Sequence, residues 1–210
     1  MTGVQTCALP IYFRGKNLGP FRLAVPGVHN VSNALAAIAI GIELEIPVDL
    51  IRKGLAAFTG VERRFHLRGE SGGIMVVDDY GHHPTEVKAT LAAAKKGWDR
   101  RLVVLFQPHR YTRTRDCIDD FAHAFDQADH VFVTEVYAAG EPPIPGVSGA
   151  KLVETIKAAG HPAVTFIEQK ETMPDQILPH LKPGDLVVTL GAGDIWKAGT
   201  GILARLAPSS

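Results

Sequence analysis

This sequence of 210 residues has little cysteine, no excess of charge of either sign and no long apolar run. Its two cysteines, Cys7 and Cys117, stand far apart and form no CxxC pair, which excludes a disulfide framework and a cysteine zinc site and indicates a reducing compartment. The 22 basic residues balance 22 acidic ones, so composition gives no support for bulk attraction to nucleic acid or to a lipid surface. We expect a cytoplasmic protein that meets charged ligands locally.

The longest apolar stretch, around residues 34–42, is shorter than the roughly 20 residues that a membrane helix needs, and it ends at Glu43. We therefore expect no membrane span. The first eleven residues lack the basic start and the apolar core of a signal peptide, and they resemble a translated sequencing-library adapter. We expect residues 1–11 to be an artefact and the natural coding sequence to continue upstream of Tyr12.

The pattern of apolar residues changes at residues 59–65, which are polar and contain Gly60. Before this stretch, residues 12–26 predict two short strands around a turn at residues 17–20. A helix capped by Asn30 or Ser32 and a second helix starting at Pro47-Val48-Asp49 are predicted next. We place a domain boundary at residues 59–65.

After this boundary, short apolar runs rich in β-branched residues alternate with amphipathic stretches. The predicted strands are residues 74–77, 102–106, 131–134, 163–167 and 186–190. The predicted helices lie near residues 85–96, 114–127, 150–159 and 173–181. Continuous apolar strands joined by helices indicate a parallel sheet covered on both faces, and therefore a Rossmann-like α/β fold.

Open parallel sheets bind ligands beyond the carboxyl ends of their strands, where loops converge and helix N-termini point. The segments that follow the predicted strands there are rich in His, Arg and aromatic residues, whereas the opposite-edge loop at residues 96–101 is not. These segments are residues 78–86, 107–115, 135–141 and 191–196. We expect the binding site at this edge.

Each cluster also has a purely structural interpretation. Asp78 and Asp79 can end a strand, with Pro84 in the first turn of the next helix and His82 or His83 as its cap.

Arg110, Arg113 and Arg115 can belong to a solvated helix start. Cations there oppose the helix dipole, however, so an anionic ligand such as an amino-acid carboxylate explains them better.

Two further motifs are weak when taken alone. Gly191-Ala192-Gly193-Asp194 is half of a dinucleotide fingerprint, but a tight turn with positive φ explains at least one of its glycines better. Asn30 and Asn33 are about one helical turn apart, so both amides could address an adenine edge, although a plain cap explains Asn30 equally well.

Four motifs together resemble the Mur ligase family. They are GVHNVSNALAA at residues 27–37, FTGVERRF at 58–65, DDYGHHPTE at 78–86 and FQPHRYTRT at 106–114. The last two resemble the L-alanine-adding member, whereas the murein peptide recycling ligase is similar in DDYGHHPTE but differs in FQPHRYTRT. The resemblance runs from about Tyr12 to near the end of the chain.

The resemblance implies an ATP- and Mg²⁺-dependent ligase of peptidoglycan precursor synthesis, which joins L-alanine to UDP-N-acetylmuramate through an acyl phosphate. Residues 12–60 would be the end of the central ATP-binding domain and residues 61–210 the C-terminal domain. The resemblance also implies roles for individual residues. The residues that would contact the nucleotide are His29, Asn30, Asn33, Asp79 and either Arg63 or Arg64. The residues that would contact L-alanine are Tyr80, His82, Arg110 and Arg113.

The sequence departs from the family in having no Gly-x-x-Gly-Lys-Ser/Thr phosphate loop, since its Gly15-Lys16 pair is followed by Asn17. The Mg²⁺ ligands and the UDP-binding domain are also expected upstream, so we assign no metal ligand and no certain catalytic residue to this chain. We predict no ligase or ATPase turnover by this chain alone. Two alternatives stay open: a non-catalytic Rossmann-like module that binds an amino acid or a nucleotide and, ranked last, a dehydrogenase fragment that uses Gly191-Ala192-Gly193.

Overall fold

The computed structural model describes residues 10–25 and 27–207, within which the chain forms eight strands and eight α-helices. The strands are β1 (Pro10–Phe13), β2 (Lys16–Pro20), β3 (His66–Ser71), β4 (Ile74–Asp79), β5 (Arg101–Phe106), β6 (His130–Val133), β7 (Val164–Phe166) and β8 (Asp185–Leu190). The helices are α1 (Val28–Glu43), α2 (Val48–Ala57), α3 (Pro84–Gly97), α4 (Tyr111–Asp116), α5 (Ile118–Phe121), α6 (Gly149–Ala158), α7 (Met173–Ile177) and α8 (Trp196–Leu206).

A six-stranded sheet with the order β3-β4-β8-β5-β6-β7 forms the centre of the larger part. All neighbouring strands are parallel except β3, which runs antiparallel to β4. Successive side chains alternate between faces: Val104 joins an apolar cluster with α3 and α6, and Val103 joins another with α7 and α8. The predicted α/β fold with a mainly parallel sheet covered on both faces is confirmed, and the five predicted strands are each found within two residues of their expected bounds.

The edge strand β3 was not predicted, because His66–Ser71 has no apolar run or alternation. Its position comes from a two-residue hairpin turn at Gly72 and Gly73, whose φ angles of 57° and 76° are those that such turns require. The hairpin places His66 opposite Asp78. Pairing with β4 therefore decides this strand, rather than its own composition.

Two of the predicted helices differ from the structure. The helix expected at residues 114–127 begins earlier, at Tyr111, and is interrupted at Cys117. Its early start has a cause distant in sequence, since the carboxylate of Glu141 accepts the N–H of Thr112 at 3.0 Å. The helix expected at residues 173–181 is α7 between two turns of 3₁₀-helix, at Lys170–Thr172 and Leu178–His180. Helix α8 was not predicted.

Residues 10–57 pack around a small apolar cluster of their own, formed by Leu18, Phe21 and Ile38. The guanidinium of Arg52 donates to the carbonyl oxygens of Leu18 and Pro20 at 2.6 and 3.2 Å, which holds α2 against β2. This unit leaves many large apolar side chains exposed, among them Val28, Leu35, Ile40, Leu44 and Leu50.

Details of this first unit correct two expectations and confirm a third. The turn between the strands lies at Arg14 and Gly15, both with positive φ, and not at residues 17–20. Helix α1 begins at Val28, so Asn30 and Ser32 lie inside its first turns instead of capping it. The prediction that α2 starts after Pro47 is confirmed.

The proposed artefact at residues 1–11 falls mostly outside the described residues, since residues 1–9 are not among them. Pro10 and Ile11, however, belong to β1, and Ile11 packs against the cluster around Phe21. None of the helices in the described ranges is long and apolar enough to cross a membrane.

A buried ion pair joins two central strands at the amino-terminal edge of the sheet. The guanidinium of Arg101 donates to both carboxylate oxygens of Asp185 at 2.9 and 2.7 Å, and the N–H of Lys182 donates to the same carboxylate at 2.9 Å. The side chain of Asp185 has no solvent exposure. Removing one partner from such a pair leaves a buried charge without compensation.

Replacing Arg101 with alanine leaves the fully buried Asp185 carboxylate without its cation, so it should lower the free energy of unfolding by about 3 kcal/mol, measured by urea denaturation. Arg205→Ala is the matched control, because it removes an equally bidentate pair with Asp175 that lies at the surface. We expect a loss below about 1 kcal/mol for the control. Equal losses for the two variants would contradict the assigned role of burial.

Candidate functional site

Four loops meet at the carboxyl edge of the sheet, as the sequence predicts. The carbonyl oxygen of Asp79 accepts the N–H of Gly191 at 3.2 Å, and that of Leu190 accepts the N–H of Gln107 at 3.0 Å. The N–H of Tyr137 donates to Pro108 at 2.8 Å. The segments that follow β4, β5, β6 and β8 therefore form one continuous surface.

Asp79 organises the turn after β4. Its carboxylate accepts the N–H groups of Phe65 and Gly81 at 2.8 and 2.7 Å, and a Cβ atom on Gly81 would lie 2.8 Å from that carboxylate. Burial raises the pKa of Asp79, while these N–H groups and the charge of Arg64 oppose the rise. Asp79, which the sequence predicts to contact the nucleotide, thus already holds the linker at residues 59–65 and the turn after β4 together.

Arg63 and Arg64 have different surroundings. Arg63 donates to the buried carboxylate of Asp78 at 3.1 Å and to the carbonyl oxygens of Gly191 and Ala192 at 2.6 and 3.4 Å. Its side chain is 25% exposed, against 53% for that of Arg64, whose nearest carboxylate oxygen is 3.7 Å away on Glu86. Arg63 is therefore occupied within the fold, and Arg64 has the more accessible guanidinium.

A run of ring contacts crosses the site from β4 to β6. The guanidinium of Arg63 lies 4.9 Å from the Tyr80 ring, Tyr80 meets His82 edge-on at 5.4 Å, and His82 lies 5.3 Å from His109. The ring of His109 is stacked on that of Tyr137 at 5.6 Å. The predicted residues Tyr80 and His82 are brought together, and His109 and Tyr137 join them without having been predicted.

His109 is neutral at physiological pH. Burial, followed by the charges of His82, Arg113 and Arg110, lowers its pKa to about 4. The nitrogen Nη1 of Arg113 lies 3.1 Å from Nδ1 of His109. Because arginine can only donate, Nδ1 accepts, and the proton of the neutral ring is on Nε2.

The loop after Tyr80 ends in a helix cap. His83 is the one of the two predicted cap candidates that caps α3, and Pro84 lies in the first turn of this helix, as the structural interpretation predicts. The carboxylate of Glu86 accepts the N–H groups of His82 and His83 at 3.0 and 3.1 Å. Burial alone would raise the pKa of Glu86, but these N–H groups bring it below its ordinary value. The cap fixes the backbone of His82.

The three arginines near α4 point to different partners. Arg113 donates to the carbonyl oxygen of His109 at 3.2 Å as well as contacting its ring. Arg115 pairs with the adjacent Asp116 at 2.7 Å. Arg110 lies 3.8 Å from Glu141 and is half exposed. An internal carboxylate, Glu141, thus supplies part of the negative charge that this helix start needs.

The turn Gly191–Asp194 closes the site beside Tyr137. Gln107 Oε1 accepts the N–H of Asp194 at 3.1 Å, and a Cβ atom on Gly193 would lie 2.3 Å from that oxygen and 2.9 Å from Tyr137. Gly191 has a φ of 150° and similarly close neighbours. Packing within the fold accounts for these glycines, as the structural interpretation predicts.

The predicted base-contacting residues lie in α1. The side chains of Asn30 and Asn33 are neighbours, with Asn33 Nδ2 at 3.5 Å from Asn30 Oδ1. The side chain of His29 falls outside the described part of the chain. Within residues 10–25 and 27–207, no group of three or more His, Cys, Asp or Glu side chains could hold a metal ion.

Sequence reasoning missed Gln107, His109, Tyr137, Glu86 and Glu141 as site residues. All five lie in or beside segments at the carboxyl edge of the sheet, so their polar or aromatic type at that edge was the available signal. Their partners come from other loops, which no local pattern specifies.

Comparison with known families matches residues 63–193 to a model described as Mur ligase, glutamate ligase domain. The match covers more than half of the chain. This protein belongs to the Mur ligase family. The resemblance inferred from the four sequence motifs is confirmed.

Two relatives of this Mur ligase chain are named UDP-N-acetylmuramate–L-alanine ligase. The chain is 51% identical over 201 residues to the protein of Geotalea uraniireducens and 53% identical over 195 residues to that of Myxococcus xanthus. The alignments cover 96% and 93% of this chain but 44% and 41% of those ligases. The chain thus spans less than half the length of these relatives.

Two solved structures have the same fold over 91% of this Mur ligase chain and 40% of their own chains. They are the UDP-N-acetylmuramate-alanine ligase of Thermotoga maritima, with a TM-score of 0.77 and 33% identity, and a murein peptide ligase of Psychrobacter arcticus, with a TM-score of 0.66 and 29% identity. The similarity extends across both the first unit and the larger sheet.

Arg63→Gln should lower the free energy of unfolding by about 3 kcal/mol, because it leaves the buried carboxylate of Asp78 without its cation. Arg64→Gln should change it by no more than about 0.5 kcal/mol, since that side chain is mainly exposed. Chemical denaturation of the two variants beside the unchanged chain measures both values. The reverse order of stability would show that the two roles are misassigned.

Proposed function

We propose that this chain supplies the amino-acid-binding side of an ATP-dependent ligase that joins L-alanine to UDP-N-acetylmuramate. This reaction belongs to peptidoglycan precursor synthesis in the cytoplasm. The observation that carries the proposal is the meeting of the two motif-bearing loops, with the rings of His82 and His109 5.3 Å apart beside Arg110 and Arg113. Identities of about 50% with ligases named for this reaction support it.

We assign residues 61–210 to the C-terminal domain of this ligase and residues 12–60 to the end of its central ATP-binding domain. The separate apolar cluster of the first unit supports the division, as does the family match beginning at residue 63. The exposed apolar face of α1 fits a unit that packs against other parts of a larger protein.

The carboxylate of L-alanine fits the cluster formed by Arg110, Arg113 and His109. Guanidinium groups are good partners for carboxylates, and the Nε2–H of neutral His109 adds a donor without adding charge. Tyr80 and His82 would contact the rest of the small amino acid. The ring run then limits the space and orients the amine toward the reacting acyl group.

For the nucleotide, we assign the exposed guanidinium of Arg64 to a contact with phosphate or ribose. We keep Asp79 as a second residue that would contact the nucleotide. Asn30 and Asn33, with His29, would contact the base. ATP with Mg²⁺ would supply the phosphoryl group that activates the carboxylate of UDP-N-acetylmuramate. The described side chains offer no metal cluster, so we assign no Mg²⁺ ligand among them.

A murein peptide recycling ligase is the second candidate, favoured by the 29% identity with the Psychrobacter arcticus structure. That class resembles this chain in the 78–86 motif but differs in the 106–114 motif. Residues of the second motif, among them His109, Arg110 and Arg113, form the carboxylate cluster described here. We therefore favour L-alanine as the amino acid.

Titration of the ¹⁵N-labelled chain with L-alanine should shift the NMR signals of Tyr80, His82 and Arg110. Arg113→Gln should raise the dissociation constant for L-alanine at least about tenfold, because one charge-assisted hydrogen bond contributes roughly 1.5–3 kcal/mol. Arg115→Gln is the matched control, since Arg115 lies on the same helix but pairs with Asp116. The site assignment fails if L-alanine shifts none of these signals or if both variants bind alike.

The purified chain should release no ADP from ATP above background when Mg²⁺, L-alanine and UDP-N-acetylmuramate are present. The reason is the missing phosphate loop, which would cradle the phosphates of ATP. A coupled ADP assay checks this expectation, with a complete L-alanine ligase as positive control. Turnover that copurifies with the chain would refute it.

A further inference from the structure

Glu141 reaches back from the loop after β6 to the start of α4. Its carboxylate accepts the N–H of Thr112 at 3.0 Å and the hydroxyl of Thr112 at 2.7 Å. One oxygen lies 3.8 Å from Arg110 Nη1. The N–H and hydroxyl of Thr112, followed by the charge of Arg110, lower the pKa of Glu141, so it stays ionised at neutral pH.

Helix α4 depends on this remote carboxylate. Arg110 precedes the helix, and its side chain makes no capping hydrogen bond within the described structure. Its backbone has a φ of 71°, which a side-chain-bearing residue adopts only when its surroundings enforce it. The N–H of Arg110 donates to Tyr137 at 2.8 Å, so the loop carrying Glu141 holds this backbone at two points.

The same helix start sets the position of Arg113, which lies one turn later. Arg113 contacts both the ring and the carbonyl oxygen of His109. Glu141 therefore contacts Arg110 and Thr112 within the one short segment that also carries His109 and Arg113. Its own oxygens are taken by Thr112 and by the charge of Arg110, so it acts through these residues.

We propose that Glu141 is a positioning residue for the amino-acid site, because it holds Arg110 and Arg113 in the orientation that receives a carboxylate. The identity of that carboxylate, L-alanine, rests on the proposed function. The orientation of the arginines does not, so the two can be tested separately.

The first test is the pKa of His109, measured by NMR titration of its ring protons in the unchanged chain, Glu141→Ala and Glu141→Gln. The groups that lower this pKa, besides burial, are His82, Arg113 and Arg110, and Glu141 raises it. If Glu141 positions the segment, its loss in Glu141→Ala should free Arg113 and expose the ring, which moves the pKa upward from about 4. If Glu141 acts only as a charge, the pKa should fall.

Glu141→Gln keeps an oxygen that can accept the N–H of Thr112, so it should shift the His109 pKa less than Glu141→Ala does. Glu154→Ala removes one acidic charge from an exposed pair with Lys151 and should leave the pKa unchanged. A fall or no change in Glu141→Ala would overturn the proposal, whether or not the chain binds L-alanine.

The second test is the dissociation constant for L-alanine, with thermal unfolding measured in parallel. We expect at least tenfold weaker binding in Glu141→Ala, partial rescue in Glu141→Gln and no change in Glu154→Ala. Equal binding in Glu141→Ala and the unchanged chain would overturn the positioning role and leave the proposed function intact. If the unchanged chain does not bind L-alanine, that result contradicts the proposed function instead. The titration of His109 still decides the role of Glu141 in that case.

Discussion

The carboxylate of Asp78 lies fully buried at the end of β4, where an uncompensated charge would be costly. Arg63 and Thr189 satisfy its two oxygens, and the remaining N–H groups of Arg63 reach the turn after β8. One ion pair thus joins the linker, the second strand of the sheet and the Gly191 turn. The Tyr80 ring lies against the same guanidinium, so the first member of the ring run takes its place from this contact.

The central sheet could be predicted because its strands are apolar on both faces, a pattern that few other structures produce. Elements whose stability comes from distant partners could not. The polar strand β3 exists through its hairpin with β4, and the start of α4 depends on Glu141, which is 29 residues away from Thr112. Turn chemistry at Arg14 and Gly15 was also misread, because both residues adopt positive φ although only one is glycine.

The candidate site divides in the same way. Strand ends and residue types were enough to place Tyr80, His82, Arg110 and Arg113 at one edge of the sheet. They could not separate Arg63 from Arg64, since both are arginines in one motif and only the position of Asp78 decides between them. The contribution of His109 was equally hidden, because its low pKa depends on burial and on the charges of His82, Arg113 and Arg110.

The place of β8 in the sheet has a consequence for how the protein folds. This strand is the last of those in the described residues, yet it lies between β4 and β5 and pairs with both. During synthesis, β4 and β5 therefore lack their shared partner β8, which is made roughly a hundred residues after β4. The strand edges that β8 later covers stay unpaired until then. Such non-local pairing slows folding and exposes strand edges to aggregation, so the nascent chain is most vulnerable just before residue 185 leaves the ribosome.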